Sequence, residues 1–234
     1  MSLKKANADT FFAGPPLEEG PMPALFYFAL SAKDSLTKDP YNQPVQFLHG
    51  EPIRIFSMTL PCHENEFPPE KAVGVWKEKM ESGVDLIPPF IEKVEKNFSM
   101  LKAHITTCAT AGLSRGGFIA CHVAAKIPEI THVLGYAPLT RLDYAPELNL
   151  ETLTPRLYRK KVRFYMGNHD TRVGTEHGFS FIHRLAKAAS SHRVRNAPIE
   201  MIIGPSIGHQ GHGTAPHVFQ SGVDWLKKEL LFQY

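Results

Sequence analysis

The chain has 234 residues, of which 43% are hydrophobic and 21% charged, and its formal net charge is +3. That length and composition suit one globular domain with a sizeable core, and the small charge, without a Lys/Arg-rich block, argues against nucleic acid or an anionic membrane as main partner. The opening residues lack the apolar segment of a signal peptide and no run approaches membrane-spanning length, so a soluble, cytoplasmic protein is expected.

Residues 1–22 are polar and proline-bearing and read as an N-terminal surface segment, leaving 23–234 as a single domain. Pro23–Leu30 reads as a buried strand. A polar stretch follows, with a short extra strand placed at Val45–Leu48, before the clear strand Ile53–Leu60, which Pro61 ends. Helices are predicted over Pro69–Met80 and Asp85–Met100. The second carries Ile87, Phe90, Ile91, Val94 and Phe98 on one face. The strand His104–Ala111 leads through Gly112-Leu113-Ser114-Arg115-Gly116-Gly117 into the helix Phe118–Lys126. The strand Thr131–Ala137 precedes a weakly periodic connector, Pro138–Lys160, with room for only a small lid. Lys161–Gly167 (strand), Glu176–Ala189 (helix), Ile199–Ile203 (strand) and Val218–Leu231 (helix) complete the chain. Strands alternating with helices predict an α/β fold: a three-layer α/β/α sandwich around a mostly parallel sheet. Of the three cysteines, Cys108 and Cys121 fall in apolar runs, which favours reduced, buried thiols over a disulfide framework.

The chemistry-bearing motif is G-x-S-x-G between a strand and a helix, the context of a nucleophile elbow. Ser114 would sit on the sharp turn, with glycines flanking it because a Cβ there would collide with neighbouring backbone. A serine hydroxyl needs a base, and the base needs a carboxylate to orient it. In this architecture they follow the serine in the order acid, then histidine, each after a late strand. Asp170 follows the Lys161–Gly167 strand, with Asp143 as competing acid. His209 follows the Ile199–Ile203 strand and lies closer to its end than the alternative base His212. A metal site built from His209, His212 and His217 is the weaker reading, because no H-E-x-x-H pattern accompanies them. For the oxyanion hole, one donor is the Arg115 backbone amide at the start of a helix. The second is placed in the turn after Leu30, around Ser31 and Ala32. The His49-Gly50 pair lies too close to the next strand for that role, and Pro61 has no N–H. Arg115, at the mouth of the site, either attracts a substrate carboxylate or stabilises its own helix and a neighbouring loop.

Gly112–Gly117, Gly167–Gly174 and Pro205–His209 together resemble the α/β-hydrolase superfamily, and within it single-domain dienelactone-hydrolase-like or prolyl-oligopeptidase-type serine hydrolases. The resemblance runs from about Pro23 to the C-terminus. It implies Ser114 as nucleophile, Asp170 as acid and His209 as base. The chain departs from the full fold in that too few residues precede Pro23 for its first two strands, so a reduced fold with a minimal lid is expected. The resemblance implies no cofactor and a small-molecule acyl substrate. The expected activity is cleavage of a carboxylic ester or thioester through an acyl-enzyme. A peptidase or amidase with the same residues, or a non-catalytic binding protein of this fold, are the alternatives.

Overall fold

The computed structural model describes residues 3–64, 72–195 and 197–232. In chain order the main elements are β1 (Lys4–Lys5), β2 (Thr10–Ala13), β3 (Met22–Phe28), α1 (Ala32–Thr37), α2 (Gln43–Phe47), β4 (Arg54–Met58), α3 (Ala72–Glu81) and α4 (Ile87–Leu101). After these come β5 (Ile105–Leu113), α5 (Arg115–Lys126), β6 (Ile130–Tyr136), α6 (Thr154–Leu157), β7 (Lys161–Gly167), α7 (Thr175–Ser191), β8 (Ile199–Gly204) and α8 (Pro216–Leu231). The strands form one sheet in the order β1-β2-β4-β3-β5-β6-β7-β8. From β4 to β8 neighbouring strands run parallel, whereas β1 and β2 are antiparallel additions at one edge. Among the described residues no helix is long and apolar enough to cross a membrane.

The two-residue period of the strands sorts side chains onto two faces. In β3, Phe26 and Phe28 enter one core with Phe90, Val94 and Phe98 of α4, Phe118 of α5 and Phe181 of α7. The intervening Leu25 and Tyr27 enter the other, against Leu36 of α1, Val45 of α2 and Phe219, Val223 and Leu226 of α8. Helices therefore cover both faces, and the central strands are mostly apolar because neither face meets water. Cys62, Cys108 and Cys121 are free and buried, and burial pushes their thiols above the ordinary value.

Two expectations are corrected here. The N-terminal residues are part of the sheet and supply the two strands thought missing. Thr10–Ala13 pairs with β4, Phe12 is 4% exposed, and the Thr10 hydroxyl donates to Asn97 Oδ1 at 3.0 Å. The segment is further tied down by the buried Arg54, whose guanidinium donates to the carbonyls of Pro15 (3.1 Å), Pro16 (2.5 Å) and His104 (2.8 Å). Its polar composition hid this, since a two-residue edge strand carries almost no periodic signal. Secondly, Val45–Leu48 belongs to α2 and the turn that ends it. Pro44 stands at the second helical position, and Val45 and Leu48, three apart, share the buried side against α8. The helix expected from Pro69 is seen from Ala72, and residues 69–71 lie outside the described residues.

Burial lowers three histidines, His63, His122 and His132, below the ordinary value. Burial, with the Arg115 charge, lowers His63 to about 4. Burial lowers His122 to about 4, while its Nε2 lies 2.9 Å from the Leu148 carbonyl. The unfolded chain protonates His63 and His122 near the ordinary value of about 6.5, so between 6.5 and 4 it binds more protons than the folded protein. Stability is therefore complete above about 6.5 and falls as pH drops toward 4, by up to about 1.4 kcal/mol per pH unit for each histidine. Denaturant titrations at pH 7 and pH 5 should show this loss, and His122→Gln should flatten the slope. An unchanged slope in that variant would remove His122 from the account.

Candidate active site

β5 ends at Leu113 and α5 begins at Arg115, so Ser114 alone makes the turn, with φ 55° and ψ −117°. A non-glycine residue there is strained, typically by about 1–3 kcal/mol, and persists only where its surroundings enforce it. They do so by close contact. A Cβ on Gly116 would lie 1.8 Å from the Phe28 carbonyl oxygen, and one on Gly112 would lie 2.0 Å from the Gly116 carbonyl carbon. The Ser114 amide donates to the Tyr136 carbonyl at 2.9 Å, and its carbonyl accepts from Gly117 and Leu139 at 3.0 Å each. The turn thus stands at the carboxyl ends of β3, β5 and β6, where ligands of open α/β folds bind.

Asp170 lies just past β7 and its side chain is fully buried. Its Oδ1 accepts from the amides of Arg172 (3.0 Å) and Val173 (3.1 Å), and its Oδ2 lies 2.7 Å from His212 Nδ1. The other ring nitrogen, His212 Nε2, lies 2.9 Å from Ser114 Oγ. An ionised carboxylate only accepts, so Nδ1–H donates to Asp170 and Nε2 is left to accept from the Ser114 hydroxyl. Burial pushes the Asp170 carboxyl up, but the His212 hydrogen bond and the Val173 and Arg172 amides outweigh it, and the net direction is down. Asp170 is therefore held ionised in its buried place.

The histidine beside Ser114 is His212, and this corrects the choice of His209. After β8 the chain does not run straight into α8. Gly208 (φ 73°), Gln210 (φ 56°) and Gly211 (φ 73°) turn it back on itself, and Gly213 N donates to the Ile207 carbonyl at 2.7 Å. His209 sits exposed on the outer turn, whereas His212 lies on the returning limb, its side chain 9% exposed. A Cβ on Gly211 would come 2.3 Å from the His169 carbonyl oxygen, so the returning limb presses directly against the Asp170 loop.

Hydrogen bonds lace the two loops together. Ser206 N donates to Asn168 Oδ1 (3.0 Å), His169 N to Ser206 Oγ (2.6 Å) and Thr171 N to the Gln210 carbonyl (3.0 Å). None of these residues was singled out from the sequence. The Asn168 and Ser206 side chains carry no local signal, because their partners are 38 residues apart in the chain.

The remaining expectations divide. Asp143 is displaced as an acid: its side chain is 81% exposed and pairs with Arg141 at 2.7 Å. The Ala32 amide donates to Thr59 Oγ1 at 3.0 Å, so it is not aimed at Ser114. The part of that turn that lines the cavity at Ser114 is Ala29 and Leu30, whose amides share the buried Ser35 hydroxyl (3.2 and 2.9 Å). Arg115 opens α5, and helix geometry leaves the first amides of a helix without an intrahelical acceptor. Both nitrogens of His212 are engaged, and His209 and His217 are exposed. Among the described residues no group of three or more His, Cys, Asp or Glu could hold a metal ion.

No family model and no curated protein sequence matches the chain. Solved structures do. A cold-adapted esterase from an Arctic intertidal metagenomic library superimposes with a TM-score of 0.69 at 15% identity, over 94% of this chain and 88% of that one. TT1662 from Thermus thermophilus gives 0.64 at 15% identity over 100% of both chains. Est1E from Butyrivibrio proteoclasticus gives 0.63 at 11% identity over 99% of both. At such identities the likeness is one of fold, and the fold is that of the α/β-hydrolases.

Because Gly116 is packed against the Phe28 carbonyl, Gly116→Ala is expected to cost more than about 4 kcal/mol, by forcing α5 off the sheet. Thermal melting checks this: the variant should be unfolded or insoluble at 37 °C, and a melting temperature equal to the parent's would contradict the contact.

Proposed function

We propose that this protein is a serine hydrolase that cleaves carboxylic esters through a Ser114–His212–Asp170 catalytic triad. The observation that carries the reading is the continuous row of hydrogen bonds from Ser114 Oγ to His212 Nε2 (2.9 Å) and from His212 Nδ1 to Asp170 Oδ2 (2.7 Å). Its place at the carboxyl edge of an α/β-hydrolase sheet supports it. So do the structural neighbours that are described as esterases, with Est1E described with ferulic acid bound.

In the proposed reaction Ser114 Oγ attacks the ester carbonyl carbon while its proton passes to His212 Nε2. Asp170 keeps the ring in the tautomer that can accept this proton and offsets the imidazolium charge. The carbonyl oxygen takes the negative charge and is met by the Arg115 amide at the positive end of α5. Collapse breaks the carbonyl–alkoxy bond, and His212 gives its proton to the departing alcohol. Water, deprotonated by the same imidazole, then attacks the acyl carbon, releases the acid and restores Ser114. Thioesters would follow the same path with a thiol leaving.

A fluorophosphonate probe should label Ser114. Ser114→Ala and His212→Gln should each lower kcat/KM for p-nitrophenyl acetate by about 1,000-fold or more, whereas His209→Gln should stay within about twofold of the parent. Unreduced hydrolysis in Ser114→Ala, or a loss in His209→Gln as deep as in His212→Gln, would overturn the assignment.

A further inference from the structure

The two edges of the sheet are finished differently. One edge is β1, a strand of two residues, Lys4 and Lys5. Short length and lysine are common means of keeping an edge from pairing with another chain. The other edge is β8, which among the described residues has a strand neighbour on one side only. It is six residues long, pairs with β7 without a register shift, and carries neither Lys nor Pro. Its one charge, Glu200, is matched within the chain by Arg163 at 2.5 Å.

The surroundings of β8 are apolar on both faces. Four of the seven large hydrophobic side chains exposed among the described residues gather here: Phe179, Ile202, Ile203 and Ile207, each between 41% and 57% exposed. Met201 packs against the α7-side core, so the two-residue period puts Ile203 on that face and Ile202 on the α8 face. Phe179 stands on α7. Ser180 and Arg184, on the other flank of that helix, reach Glu151 in the connector, so Phe179 lies on the β8 side. On the α8 face, Ile202 and Ile207 border a cavity of about 270 Å³ with Tyr165 and Val218. The four side chains leave roughly 300–400 Å² of apolar surface in water, as much as the largest patch of a typical monomer.

Backbone direction decides how a second strand fits. Pro198 and Gly204 turn their carbonyls toward β7, accepting from Val162 at 2.8 Å and Asn168 at 2.7 Å. Main-chain groups alternate along a strand, so those of Met201 and Ile203 point out of the sheet. Two copies of one strand related by a two-fold axis pair some residue with itself at the axis. With Ile202 there, Met201 of each copy faces Ile203 of the other, and each such pair exchanges both N–H···O=C bonds. Glu200 then lies opposite Gly204, where a Cβ would meet nothing within 4 Å. Centring on Met201 would set Glu200 against Ile202. Centring on Ile203 would set Met201 against Pro205, which has no N–H to give.

We propose that two copies of this protein associate through antiparallel pairing of their β8 strands about a two-fold axis at Ile202, joining the two sheets into one. A second copy suits the edge because it brings the same apolar surface to both faces and a charge already neutralised by Arg163. Doubled across the axis and completed by main chain and rim, the patch makes an interface near the low end of about 1,200–2,000 Å², which suits a Kd of about micromolar. The inference is independent of the chemistry proposed for Ser114.

Light scattering of the full chain at about 50 μM should give the mass of a dimer. Ile203→Lys, and Ile202→Glu, which sets two carboxylates face to face at the axis, should each be monomeric while keeping the parent's circular dichroism. Cross-linking tests the register. Cys62, Cys108 and Cys121 are buried, so with diamide as oxidant the thiols that join chains are introduced ones. Each disulfide takes one hydrogen from each thiol and reduces diamide to its hydrazine. Ile202→Cys holds its two Cα atoms about 4.5 Å apart, within disulfide range, whereas Ile203→Cys offsets them by about 7 Å along the strands. Ile202→Cys should therefore cross-link at least about tenfold faster than Ile203→Cys. A monomeric parent, a dimer that survives both charged substitutions, or equal cross-linking rates would each overturn the inference.

Discussion

The backbone of α5 rests directly on the ends of β3 and β5, and the arrangement around Ser114 depends on that contact. With no room for a Cβ at Gly112 or Gly116, helix and strands approach more closely than side-chain packing permits. The chain must then reverse within one residue, which places Ser114 at φ 55°. The strain is local and modest, while its restraint is extensive: every α5 residue from Arg115 to Ala124 is buried. An α5 packed at ordinary distance would leave room for a relaxed turn and would move both the Ser114 hydroxyl and the first helical amides.

The other half of the site is held by a different device. Asp170 and His212 sit on separate loops, after β7 and β8, and each loop supplies what the other lacks. The Asn168 and Ser206 side chains bond across the gap, and Gly211 lets the returning limb lie against the His169 carbonyl. An imidazole between a carboxylate and a hydroxyl must hold both distances at once, and parallel strands fix the two loop origins side by side. Rigid strand ends and short cross-loop bonds together achieve this without any long lid, since the chain after β6 forms only short helical turns and α6.

Charge is distributed in layers around this point. Asp170, the one buried carboxylate among the described residues, is surrounded by donors and stays ionised behind the ring. Arg115 and Arg172 line the cavity in front of the ring. Negative charge thus lies behind the imidazole and positively charged residues line the cavity in front of it.

Much of the fold was legible in the amino-acid sequence because its signals are local. The G-x-S-x-G turn between β5 and α5, the β7 strand and the apolar faces of α4 and α8 follow from short-range periodicity and from glycine at positions where a Cβ has no space. The edge strands β1 and β2 were not legible, since their partners and the Arg54 clamp come from distant parts of the chain. By itself the sequence determined a mostly parallel α/β sheet, a serine on its sharp turn and an acid after β7. Only the tertiary structure decided that His212 and not His209 faces Ser114, that Ala32 is committed to Thr59, and that Arg115 and Arg172 meet at one cavity. The reason is physical: distance along a loop is not distance in space once the loop doubles back, and a side chain's partner is fixed by the fold that surrounds it.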